Sequence, residues 1–130
     1  MIVVDASALL ELLLVTSAAA AIENRVFSAG EGLHAPHLID LEIAQVLRRY
    51  LREGELSSVR GRQALEDLAD LPMTRYPHEP FLKRIWELRN NATAYDAVYI
   101  ALAEVLSAPL VTRDAALAGI PGHKAKIEVL

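Results

Sequence analysis

Ile2, Val3 and Val4 form an unbroken β-branched run that ends on a carboxylate, Asp5, and no other stretch constrains the fold as tightly. A strand with one wet face alternates apolar and polar residues. A run without alternation needs cover on both faces, as a parallel strand sandwiched between helices has. Asp5 then falls at the strand's carboxyl end, the edge where open α/β sheets bind their ligands. A loop acid or a helix-start acid is the alternative reading of the same residue.

The rest of the chain alternates strand and helix signals. Ser7 is placed to cap a helix filled by Leu9, Leu10, Leu12, Leu13 and Leu14, and Gly30-Glu31-Gly32 breaks the helical stretch before the next strand. Leu33 to Pro36 reads as a second strand. A second helix spans His37 to Glu53, with an apolar stripe of Leu38, Leu41, Val46, Leu47, Tyr50 and Leu51, and Gly54 closes it. Ser57 starts a third helix that Pro72 stops. Met73 to Pro77 is a weak strand, and Glu79 to Arg89 a fourth helix. Thr93 caps the fifth, Ala94 to Leu106, which is apolar almost all round and therefore belongs in the interior. Pro109 to Thr112 is a strand, Ala115 to Ala118 a helical turn, and Ile127 to Leu130 a last strand. This order predicts a three-layer α/β/α sandwich with a mainly parallel central sheet of four to five strands.

At 130 residues, with no linker or repeat, the chain is expected to be one domain, 1–130. The 53% apolar content excludes a disordered chain. Without cysteine it has no disulfide or thiolate metal site. Asp5, Glu11, Glu23 and Arg25 interrupt every early apolar run before membrane-spanning length, and no secretory signal is present. A soluble, cytoplasmic protein with no membrane partner is expected. The net charge of −4 announces no nucleic-acid binder. Committing four carboxylates to divalent cations would nevertheless leave 13 acids against 13 bases, a surface that does not repel a polyanion.

Four acids qualify for that commitment. Asp5 closes the first strand, Glu42 lies early in the second helix, Asp96 is in the first turn of the fifth, and Asp114 follows the fourth strand. In a parallel sheet, strand ends and the starts of the following helices share one edge, so the four can converge. Clustered carboxylates repel one another, and such a cluster suits hard, oxygen-seeking Mg²⁺ or Mn²⁺. Two such ions roughly 3.5–4 Å apart can activate water and stabilise the leaving oxygen of a phosphodiester. Helix electrostatics alone would also account for Asp96, which completes a capping box with Thr93, and for Glu42. Asp40, two residues earlier, competes with Glu42 for the second position.

These residues stand in a familiar order. Val3-Val4-Asp5-Ala6-Ser7-Ala8-Leu9, Ala35-Pro36-His37-Leu38 through Glu42 to Arg48, Thr93-Ala94-Tyr95-Asp96 through Ala103, and Leu110-Val111-Thr112-Arg113-Asp114 resemble the four motifs of PIN-domain nucleases. The likeness is strongest to the VapC toxins of toxin–antitoxin pairs. It is the ordered set, spanning nearly the whole chain, that is specific. One departure is Gln45, where many relatives carry Asn.

The resemblance implies a PIN-like fold and a Mg²⁺- or Mn²⁺-dependent endoribonuclease, a growth-arresting toxin that acts on RNA, is held inactive by a cognate antitoxin and forms a homodimer. It implies Asp5, Glu42 and Asp96 as metal ligands, Asp114 completing the set directly or through water, and Thr112 orienting a water or ligand. Arg48, Arg49 and Arg52 form a basic cluster that either contacts phosphate or is a solvated helix face. The leucine-rich first helix is either core or an antitoxin-covered surface. His34, His37, His78 and His123 show no metal-ligand spacing. Two other classes remain in view. A receiver-like phosphoacceptor domain needs a paired acid after the first strand and an Asp after the third, and both are missing. A PIN-like module that binds RNA or protein without cutting is excluded only by activity.

Overall fold

In a computed structural model of the chain, described for residues 1–28 and 30–130, five strands form one sheet in the order β3-β2-β1-β4-β5, every neighbouring pair parallel. The strands are β1 (Ile2–Val4), β2 (Leu33–Pro36), β3 (Met73–Tyr76), β4 (Leu110–Thr112) and β5 (Ile127–Val129). Seven α-helices connect them: α1 (Ala6–Leu13), α2 (Ala19–Phe27), α3 (Leu38–Arg52), α4 (Ser58–Asp70), α5 (Leu82–Glu87), α6 (Ala94–Leu106) and α7 (Ala115–Ala118). Ile2, Val3 and Val4 are all fully buried, as a strand covered on both faces must be.

The strand order sets where a ligand can bind. The chain steps outward from β1 through β2 to β3, then returns to lay β4 on the other side of β1. The β1–β4 boundary is therefore the topological switch, where the connections diverge and leave a crevice at the carboxyl ends of the strands. The first two crossovers pack on one face, with α1 against α3, α4 and β4 and with α3 against β2. The third crossover packs on the other, where α6 lies on β1, β2 and β4 and carries α5. This is the three-layer sandwich expected from the alternation. Ala97 to Ala103 are buried without exception, each buried branched side chain contributing about 1.5–3 kcal/mol.

Several boundaries reflect local chemistry. Ser57 accepts from the Arg60 amide and Thr93 from the Asp96 amide, each as an N-cap. Gly54, at φ 75°, ends α3 in the left-handed conformation that glycine adopts without penalty. Other expectations are corrected. Asp5, not Ser7, caps α1: Asp5 is extended and takes the Ala8 amide on its carboxylate. The leucine-rich segment ends at Leu13, and a second helix, α2, begins beyond Val15, whose φ of 52° no helix tolerates. The helix expected over Glu79 to Arg89 begins as a 3₁₀ turn over Glu79–Phe81 and is α-helical only over Leu82–Glu87. Leu9, Leu10 and Leu13 are buried, so the first helix is core.

Three two-pronged ion pairs tie elements distant in sequence. Arg25 holds Glu128 of β5, Arg84 of α5 holds Glu104 of α6, and Arg75 of β3 holds Asp40 of α3.

Candidate active site

Asp5 leaves β1 at the switch and turns its carboxylate over the end of β4. It is 8% exposed, and Thr112 beside it is fully buried. One carboxylate oxygen, Oδ1, accepts from the Ser7 hydroxyl at 2.7 Å and from the Ala8 amide at 3.0 Å; the other, Oδ2, accepts from the Thr112 hydroxyl at 2.5 Å. Both hydroxyl protons are spent on Asp5, so the 3.2 Å approach of Ser7 Oγ to Thr112 Oγ1 carries no hydrogen bond of its own. Each hydroxyl in turn accepts a backbone amide from the loop after β4: Arg113 N–H to Ser7 at 3.0 Å, Asp114 N–H to Thr112 at 2.9 Å. Asp114 itself is exposed and accepts the Ala116 amide as the cap of α7.

Glu42 reaches the same edge from the second turn of α3 and takes the Tyr99 phenol on Oε1 at 2.6 Å. Burial and that carboxylate push the Tyr99 pKa far above the usual phenol range, so the phenol stays a donor. Asp96 comes from the first turn of α6, where the helix N-terminus favours a negative charge.

The electrostatics identify these acids as a group. Burial raises the Asp5 pKa, against the Thr112, Ser7 and Ala8 bonds, and the charge of Asp114 adds to the rise. Burial likewise raises Glu42, with Asp5 and Asp96 adding, and raises Asp96, with Asp114 adding. Every one of the four acids thus acts on at least one other or is acted on by it. Among the described residues none of the four is paired with a Lys or Arg. Asp40, by contrast, gives both oxygens to Arg75. That pairing separates the two acids the sequence left in competition.

Partly buried, mutually repelling carboxylates without a cationic partner are the donor chemistry that a hard divalent cation satisfies. Their spacing is open: among the described residues, no three His, Asp or Glu side chains stand close enough to chelate an ion.

Comparison with known proteins shows the family. The PIN domain family matches residues 2–122. The chain belongs to the PIN-domain family. Within it, Ribonuclease VapC9 of Mycobacterium tuberculosis (strain ATCC 25618 / H37Rv) is 50% identical over 114 residues, 88% of this chain and 86% of that protein. Ribonuclease VapC12 of the same strain is 41% identical over 130 residues, covering 100% of this chain and 99% of that one. Among solved structures, PAE2754 from Pyrobaculum aerophilum matches 99% of this chain and 83% of its own, with a TM-score of 0.71 and 27% identity. VapBC2 from Rickettsia felis, bound to a DNA fragment from its promoter, shares the fold, with a TM-score of 0.73 and 11% identity.

In this PIN domain the basic cluster lies apart from the acids. Arg48, Arg49 and Arg52 are exposed on the last turns of α3, which at about 1.5 Å per residue lead away from Glu42. Arg48 borders a groove between α3 and α4, and Arg49 stacks on Tyr50. Three histidines are engaged elsewhere, His34 with Tyr76, His78 with the Leu38 amide and His123 with the Ala125 amide. Two contacts were not legible as such in the sequence: the Ser7 hydroxyl on Asp5 and the Tyr99 phenol on Glu42. The only hint of the first was a hydroxyl two residues after the acid.

Proposed function

We propose that residues 1–130 act as one PIN domain that cleaves RNA with Mg²⁺ or Mn²⁺, as the toxin of a toxin–antitoxin pair. This reading is supported by the mutual charge effects among Asp5, Glu42, Asp96 and Asp114 around the β1–β4 switch, none of which is paired with a Lys or Arg among the described residues. Proteins named VapC ribonucleases that align along nearly the whole chain support RNA as the substrate, and the resemblance of the four motifs to VapC toxins supports a cognate antitoxin. RNA cleavage would take place in the cytoplasm. Among the described residues no helix is long and apolar enough to cross a membrane.

Asp5, Glu42 and Asp96 would hold the cation, and Asp114, exposed at the start of α7, would join directly or through water. A divalent cation held there would supply Lewis acidity toward the phosphodiester and toward the hydrolytic water. The protein's own contribution is to aim Asp5 and to oppose part of what burial costs its charge. Ser7 and Thr112 donate to its carboxylate and oppose the effect of burial, and the buried Thr112 fixes the distance between the two strand ends. No histidine is needed as a base.

A homodimer is supported by one apolar surface. Leu41, Leu82 and Tyr95 are 72, 56 and 62% exposed and border two cavities that share Leu38 and Tyr95. Leu41 and Tyr95 line a cavity of about 450 Å³ with Leu38, Val46, Gln45 and Glu42. Isolated chains seldom leave so many large apolar groups together in water.

The test is to incubate total RNA with purified protein and Mn²⁺ or Mg²⁺ and map new ends. Discrete cuts that vanish with chelator and in Asp5→Asn are expected. Folded, antitoxin-free protein that cuts neither structured nor unstructured RNA would favour the non-cleaving module.

A further inference from the structure

Helix α6 brings two different groups to the acidic edge. Asp96 is in its first turn, and Tyr99 comes three residues later, a spacing that places both on one side of the helix. Tyr99 is only 3% exposed, among Val98, Ile100 and Ala101, all buried too. For packing alone phenylalanine would serve, because a buried phenol is costly without an acceptor. The acceptor is Glu42 Oε1 on α3, 57 residues away in sequence, at 2.6 Å.

The other acids have their own restraints. Asp5 is held by three donors, and the Asp96 backbone by the Thr93 cap. Glu42 has a longer side chain beside the cavity of Leu38, Leu41, Gln45, Val46 and Tyr95, and among the described residues the hydrogen bond its carboxylate accepts is the Tyr99 phenol's. Its carboxylate needs an external anchor.

We propose that Tyr99 is the positioning residue for Glu42: its phenol pins Oε1, so α6 fixes two of the acids that would hold a cation, one by carrying it and one by reaching across to α3. This inference rests on the metal-site reading above and adds to it a residue with no contact to the ion. Partners of this kind typically change metal affinity about 10–100-fold.

The test is calorimetric titration of Mn²⁺ into the full, chelator-stripped chain for four proteins: wild type, Tyr99→Phe, Glu42→Gln and the double variant. Tyr99→Phe keeps the ring and is expected to retain a cooperative melting transition while binding Mn²⁺ about tenfold more weakly. In the Glu42→Gln background the same change is expected to make no further difference, since the phenol acts through Glu42. Unchanged affinity in Tyr99→Phe, unchanged affinity in Glu42→Gln, or an equal loss in both backgrounds would each overturn the positioning role while leaving a metal site in place. A wild-type chain that binds no Mn²⁺ would overturn the metal-site reading and this inference with it. Should Tyr99→Phe fail to fold, Tyr99→Met decides, because an adaptable apolar side chain fills the space without a donor and leaves Glu42 unaltered. A loss of about tenfold supports the role, and wild-type affinity refutes it.

Discussion

Thr112 donates its hydroxyl proton to Asp5 at 2.5 Å, although 107 residues separate them in sequence. The bond crosses the β1–β4 boundary at full burial and also engages the Asp114 amide. One threonine therefore fixes the relation between two strand ends that each carry an acid.

Thr112→Val, which has the same shape without the hydroxyl, is expected to lower stability by about 1–3 kcal/mol, because it strips a donor from a buried carboxylate and leaves an amide unmade. Cleavage at saturating Mn²⁺ should fall about tenfold or more. Thermal melting and initial rates measure both. Wild-type behaviour in each would mean that the bond positions nothing.

The raised pKa values make the acidic edge a cost to the metal-free fold. Asp5, Glu42 and Asp96 all lie above their ordinary values of 3.8, 4.5 and 3.8, so folding favours their protonated forms. Their stabilising contribution is complete below those ordinary values and is lost as pH rises through the higher folded ones. In chelator at pH 7, Glu42→Gln is therefore expected to melt about 3 °C above wild type, with the gap closing below about pH 4. Adding Mn²⁺ should raise the wild-type midpoint more than that of the variant. Scanning calorimetry across pH decides; a lower midpoint for Glu42→Gln at pH 7 would contradict the sign.

Glu104 behaves in the opposite sense. The Arg84 bond holds its pKa below the usual carboxylate range, against burial, with the Lys124 amide assisting. Its contribution is present above the ordinary value of 4.5 and is lost as pH falls through the lowered one. Glu104→Gln should cost about 1–2 kcal/mol at pH 7 and progressively less in acid, measured by urea unfolding at both ends of the range.

Val15 occupies a left-handed conformation, φ 52°, at the exposed turn between α1 and α2. A β-branched residue there costs about 1–2 kcal/mol, so Val15→Gly is expected to raise stability by roughly 1 kcal/mol and to leave cleavage unchanged. Urea unfolding measures it. A destabilised variant would show that Val15 contributes more by contact than it loses by strain.

The parts of this structure that were legible in the sequence are those set by neighbours along the chain. The Ile2 to Val4 run announces a doubly covered strand because burial of a strand depends on its own pattern, and Thr93 announces α6 because a cap acts within three residues. The ordered motifs likewise announced the family, whose model matches residues 2–122. The illegible parts depend on partners far away. Asp40 and Glu42 are indistinguishable until β3 brings Arg75 to the first and α6 brings Tyr99 to the second. Asp5 takes over the cap expected of Ser7, because Ser7's hydroxyl is drawn to Asp5 itself. The break at Val15 goes against the residue's own preference, so no propensity could reveal it.

The most direct measurement is the anomalous difference density of a crystal of the chain grown with saturating Mn²⁺. The account predicts a peak bounded by Asp5, Glu42 and Asp96, with Asp114 at its edge and Asp40 still on Arg75. No peak at that edge, or one held by other side chains, would contradict it.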